Sequence, residues 1–200
     1  MRQLIWMMIT FVLLFGCSTD TPYLKADFAQ VEASEYEVEV EMEHLYPINE
    51  KRQIEITSAN ILFGKENPCN NNWSYYSGAT ITNAWGNIIQ TNDSFQEVKC
   101  DSPALGFGPI LLARYEPLKG NRLSFSADFS LGLIFYNEDF PAGGKFYNFM
   151  WRIGPNFTYQ IHDSLSLSIG YKVAHVSNGN SSHNPSCNGK GISMSVKKSF

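Results

Sequence analysis

Beyond its N-terminal stretch, the chain has no apolar run near the roughly 20 residues a helix needs to cross a membrane. Charge is also scarce. Asp, Glu, Lys and Arg make up 17% of the 200 residues, against about a quarter in a typical soluble domain. Basic residues are outnumbered 15 to 19, and a formal net charge of -4 offers no positive field to nucleic acid. There are four cysteines, without a CxxC or a Cys/His pair at zinc spacing, so no metal site is read and no cofactor is implied. No Asp or Glu follows Asp163, which leaves the C-terminal stretch without a carboxylate side chain.

Rings and turn residues are plentiful instead. Aromatics reach 14% and there are 15 glycines, yet mean hydropathy is only -0.21. That value excludes a helical membrane protein. It suits an outer-membrane barrel, in which only every second strand residue has to be apolar.

The first residues, MRQLIWMMITFVLLFGCSTD, place a basic Arg2 before an apolar core from Leu4 to Phe15. This core is short for a membrane span and reads as a secretory signal. Leu14 to Cys17, LFGC, resembles the lipobox of bacterial lipoproteins, with an ordinary signal peptide as the alternative. The expectation is a signal peptide at 1–16, lipid attachment at Cys17, a tether over 17–34 and a barrel domain over 35–200.

From there alternation prevails, broken by turn residues. EYEVEVEMEH sets Tyr36, Val38, Val40 and Met42 against Glu37, Glu39 and Glu41. RLSFSADFSLGLIFY sets Leu123, Phe125, Phe129, Leu131, Leu133 and Phe135 against Ser124, Ser126, Asp128 and Ser130. KFYNFMWRIGPNFTYQI sets Tyr147, Phe149, Trp151, Ile153, Phe157 and Tyr159 against Asn148, Arg152, Asn156 and Thr158. Period two over such lengths signals strands. Eight are expected, near 36–45, 52–64, 73–90, 103–116, 122–136, 146–161, 165–178 and 191–200. NAWGN at 83–87 is a candidate hidden turn, and Pro109 speaks against an unbroken ladder. A soluble sandwich would carry charge on its polar face. Here that face is mostly Ser, Gly, Asn and Thr, and the chain stops on an aromatic after the alternation Ile192, Met194, Val196. The fold class read is all-β, an eight-stranded antiparallel outer-membrane barrel. The Glu row then lines the lumen rather than a calcium site, and Trp73, Trp85 and Trp151 join interfacial girdles.

In an even-stranded barrel with both ends in the periplasm, the seventh strand climbs outward from the turn at His162–Ser164. Leu165, Leu167, Ile169, Tyr171 and Val173 face lipid, and His175 and Ser177 continue that row at its top. Two residues apart on a strand means the same face, with Cβ atoms roughly 6.5–7 Å apart. A histidine beside a serine is the minimum for activating a hydroxyl against a carbonyl, and Asn178 and Gly179 follow as candidate oxyanion donors. From spacing alone, two polar residues meeting the interface are the better explanation of the pair, because HxS is a weak motif.

GYKVAHVSNGN followed by NPSCNGKGIS resembles the signature of the lipid A 3-O-deacylase (PagL) and acyloxyacyl hydrolase family, and FYNFMWRIGPNFTYQIHDSLSLSIGYK resembles the family's preceding hairpin. The resemblance covers roughly residues 120–200. It implies a serine esterase on the lipid-facing wall that removes an ester-linked acyl chain from lipid A, with His175 as base, Ser177 as nucleophile, and Asn178, Gly179 and neighbouring amides at the oxyanion. Its partners would be lipopolysaccharide and the outer membrane, and a homodimer is the self-association it admits. The family's orienting glutamate follows the Gly-hydrophobic pair of the last strand, where this chain has Ser193 after Gly191-Ile192. The third role falls to Ser193, to Asn188, or to no residue. Ser193 has inward parity unless the strand opens with a bulge. In the same topology Cys100 and Cys187 both lie outside, where a disulfide would clamp the loop, and Cys69 stays unpaired. His183 reads as solvated. A non-catalytic structural or lipid-binding barrel and a phospholipase are the competing functions.

Overall fold

The computed structural model describes residues 36–66, 72–179 and 184–200. The expected signal peptide, Cys17 and tether, and also Cys69 and His183, lie outside the described residues. The alternating segments form β1 (Tyr36–Pro47), β2 (Arg52–Glu66), β3 (Trp73–Thr91), β4 (Glu97–Asp101), β5 (Ala104–Lys119), β6 (Leu123–Phe140), β7 (Lys145–His162), β8 (Leu165–Ser177) and β9 (Cys187–Ser199). All neighbours are antiparallel, in the order β2-β1-β9-β8-β7-β6-β5-β3-β4, and a β2–β3 pairing closes the ring. β4 and β5 pair with β3 in one continuing register, Asn87 opposite Asp101 and Ala84 opposite Ala104, so together they make a single interrupted stave. The result is a closed eight-stave barrel.

Two sequence expectations resolve here. NAWGN hides no turn: β3 runs through it, and Gly86 takes a φ of 121° against the backbone of Gln53, where a side chain would collide. Pro109 sits inside β5, and the pairing with β6 lapses at Gly108 and Pro109 but resumes unshifted at Ile110 opposite Gly132.

Alternation sorts every strand into a wall with two unlike faces. On β8 the outward Leu167, Ile169, Tyr171 and Val173 are exposed, while Ser166, Ser168 and Lys172 between them are buried. Rings gather outside at both ends of the wall. Trp73 stacks on Tyr75 and meets Tyr115 at the end with the short turns, and Trp85 and Trp151 lie toward the other. An apolar belt between aromatic girdles is what a bilayer selects, and a closed ring leaves no unpaired strand edge in it.

The interior is filled in layers. Beneath the outer end lies an apolar plug including Leu45, Ile54, Ile134, Tyr136, Phe140, Met150 and Val176. Below it the four glutamates of β1 face inward, and each meets a cation. Glu43 takes Arg152 at 2.6 Å, Glu41 takes Lys172, Glu39 takes Arg114 at 2.8 Å, and Glu37 takes Lys197 at 2.7 Å. Buried charge is tolerated only when so paired. The Glu row therefore reads as the acid half of a lumenal ion-pair ladder.

Cys100 and Cys187 are free thiols and do not form the expected disulfide. β9 begins at Cys187, four residues earlier than the alternation suggested, and inward parity puts this side chain in the apolar plug.

Candidate active site

β7, β8 and β9 are neighbours, and their registers align Trp151 with His175 and His175 with Asn188. All three project from the lipid-facing side. The His175 ring stacks on the Trp151 indole, centroids 5.8 Å apart and planes 30° apart. On its other side His175 Nδ1 lies 2.7 Å from Asn188 Oδ1. An amide oxygen can only accept, so the ring donates through Nδ1–H, and Nε2 is the nitrogen turned away from Asn188. Ser177, two residues on, shares the His175 face and is half-buried, with Phe149 opposite it on β7.

Just past Ser177 the wall ends. Asn178 returns to inward parity, and its side chain is buried at 1% exposure. Its backbone N–H donates to Asn184 Oδ1 at 3.1 Å. Gly179 turns the chain with a φ of 76°, and the Phe149 ring lies where its side chain would begin. The far side of the loop is held too, since Arg52 Nη1 donates to Ser186 Oγ at 2.8 Å and to the Ser186 carbonyl.

The structure therefore brings His175, Ser177 and Asn188 onto one face, with the Asn178 and Gly179 backbone at its edge. Ser193 is not among them. It faces inward at 2% exposure, with Oγ over Gly170 where a Cβ would come within 2.7 Å. It also lies five residues along β9 from Asn188, about 16 Å at the strand rise. The strand opens without a bulge, so its inward parity stands. Residue types alone did not reveal Asn184 as the acceptor for the Asn178 amide, or the stacking of Trp151 on His175.

Residues 63–197 match the family model of lipid A 3-O-deacylase (PagL). The chain belongs to this family. No curated protein sequence matches it. Among solved structures, Neisserial surface protein A is similar at a TM-score of 0.57 and 13% identity, over 82% of this chain and 97% of that one. The outer membrane enzyme PagL aligns at a TM-score of 0.49 and 12% identity, over 81% and 98%. Family, closed ring and apolar belt together make the chain an outer-membrane β-barrel. Asn188, a neutral amide, stands against His175 Nδ1.

Proposed function

We propose that the protein is a serine esterase that removes a 3-O-linked acyl chain from lipid A in the outer leaflet. The observation that carries this is the lipid-facing row Trp151–His175–Asn188 with Ser177 beside it on the same face, in a chain of the lipid A deacylase family. Ser177 Oγ attacks the ester carbonyl as His175 Nε2 takes its proton, and the alkoxide leaving group receives that proton as the C–O bond breaks. Water activated by the same nitrogen then hydrolyses the acyl-serine and returns the enzyme. The oxyanion role falls to the backbone N–H groups of Asn178 and Gly179, since the Asn178 side chain is inward. A charged oxyanion competes well with the amide oxygen of Asn184 for the Asn178 N–H, because charge-assisted hydrogen bonds are the stronger ones. No second copy of the chain is needed, and the homodimer gains no support. Export by residues 1–16 with acylation of Cys17 belongs to the same proposal; labelled palmitate incorporated by wild type and lost in Cys17→Ala is its check.

The test is mass spectrometry of lipid A after the refolded full chain is mixed with lipopolysaccharide. Loss of one 3-hydroxyacyl mass is expected. Intact lipid A with hydrolysed phospholipid would make the chain a phospholipase, and no hydrolysis of either by a folded barrel would leave a structural or lipid-binding role.

Asn188 fixes the tautomer of His175 but supplies no negative charge to the imidazolium that forms during attack. Asn188→Asp is expected to raise kcat roughly tenfold, because a carboxylate partner strengthens with that charge. Steady-state rates for the two proteins check this. An unchanged or lower rate in a folded variant would mean that imidazolium formation does not limit turnover.

A further inference from the structure

A second polar cluster faces lipid two staves away from the site. His44 on β1 has Nδ1 2.7 Å from Thr57 Oγ1, and its Nε2 is 3.4 Å from Glu55 Oε2. The ring also packs edge-on to Tyr46 at 4.4 Å and lies 5.6 Å from Trp85. All belong to the outward set of their strands. The Thr57 hydroxyl and His44 Nδ1 share one hydrogen bond, and His44 Nε2 lies within ion-pair distance of the carboxylate. The His44 and Glu55 side chains keep 29% and 37% of their surface exposed, so each retains polar atoms to offer.

This cluster is level with the active site rather than remote from it. Register places Lys190 of β9, outward and exposed, beside Tyr46 of β1, and Ile48 N donates to the Asn188 carbonyl. Two strand spacings sideways and two residues along separate Asn188 from Glu55, about 12 Å. The polar band is framed by Trp151 at one side and Trp85 at the other, both on the outward face. Across the membrane plane, one lipid with several acyl chains side by side covers such a distance, whereas one chain standing in the leaflet does not.

We propose that His44, Thr57 and Glu55 bind the donor-bearing root of a second acyl chain of the same lipid A molecule whose ester meets Ser177. A carboxylate facing the outer leaflet needs a hydrogen-bond donor, and burying it without one is costly. The acyl roots of a glycerophospholipid are esters and carry only acceptors. Lipid A carries amide N–H and 3-hydroxyl donors at its roots. The exposed Glu55 oxygen matches those donors, and the Thr57 hydroxyl oxygen can accept from an adjacent hydroxyl. The inference rests on the esterase reading for its substrate and adds a specificity subsite to it.

Thr57→Val and Glu55→Leu test it, since apolar residues facing lipid leave the barrel wall intact. Glu55→Leu is expected to raise KM for lipopolysaccharide about tenfold, as for a lost hydrogen bond to a charged partner, and Thr57→Val about threefold, as for a neutral one, with kcat on a single-chain soluble ester unchanged. A second readout needs no turnover. With the remaining tryptophans replaced by phenylalanine, Trp85 emission should respond to lipid A and stay silent with phosphatidylglycerol. Unchanged KM in both variants, or an equal Trp85 response to the two lipids, would overturn the subsite. A selective response in the protein that keeps Trp85 alone, with a wild-type protein that cleaves nothing, would uphold the subsite while removing the esterase reading.

Discussion

Ser177→Ala is expected to leave lipid A intact where the wild-type chain removes one acyl chain, a fall in kcat of at least about a thousandfold. His175→Ala is expected to fall as far, and the double variant no further. That non-additivity is the signature of two groups acting as one unit, because a base without a nucleophile and a nucleophile without a base are equally idle. Neither variant should harm folding. Both side chains sit on the lipid face at the end of β8, outside the ion-pair ladder that fills the barrel. The check is mass spectrometry of lipid A beside a folding readout, the mobility shift of unheated barrel in detergent gels. A Ser177→Ala protein that still deacylates while His175→Ala does not would show the histidine activating water directly, and Ser177 would lose its role as nucleophile.

Alternation made the wall legible because a one-residue slip would turn every side chain to the wrong face, so the pattern is enforced along each strand. It failed where function interrupts it. NPSCNGKG offers no apolar residue on its outward set, since Asn188 and Lys190 occupy those places at the site and the rim. The start of β9 therefore reads as loop, which places Asn188 in that loop and leaves it one candidate partner of the histidine beside Ser193 on the strand. Register carries the missing signal. β8 starts at Leu165 opposite Lys198, next to the short turn at Asp163 and Ser164, and counting equal steps up both strands puts His175 opposite Asn188. The same early start turns Cys187 inward and removes the disulfide. The cluster at His44 was invisible for another reason. His44 is 11 residues from Glu55 and 13 from Thr57 in sequence, and only the β1–β2 pairing of His44 with Thr57 brings them together.

Arg114→Met is expected to be the most destabilising single change in the lumen, by roughly 3–5 kcal/mol. The guanidinium is buried at 4% exposure. Two carboxylates from different staves converge on it, Glu39 at 2.8 and 3.1 Å and Asp128 at 2.8 and 2.9 Å. Its plane also lies 5.4 Å from the centre of the Tyr76 ring. Methionine fills much the same volume but leaves two buried carboxylates facing each other without a cation. Each must then be neutralised or draw water inward, and both are costly in a packed barrel. Lys197→Met makes a useful contrast, because Lys197 is 22% exposed at the barrel mouth beside the Asp163–Ser164 turn and its pair with Glu37 is partly screened. That change should cost about 1 kcal/mol or less. Adding Glu39→Gln and Asp128→Asn to Arg114→Met should recover most of the loss, since amides need no counter-ion. Urea unfolding of the barrel in lipid vesicles measures all three. Equal midpoints for Arg114→Met and wild type would mean that the ladder contributes shape rather than stability, with water able to replace the guanidinium at little cost. Because the ladder lies inside the wall and the site outside it, any fraction of Arg114→Met that folds should deacylate at the wild-type rate. A loss of rate in folded protein would instead show that the interior charges set the position of β8 and, through it, of His175 and Ser177.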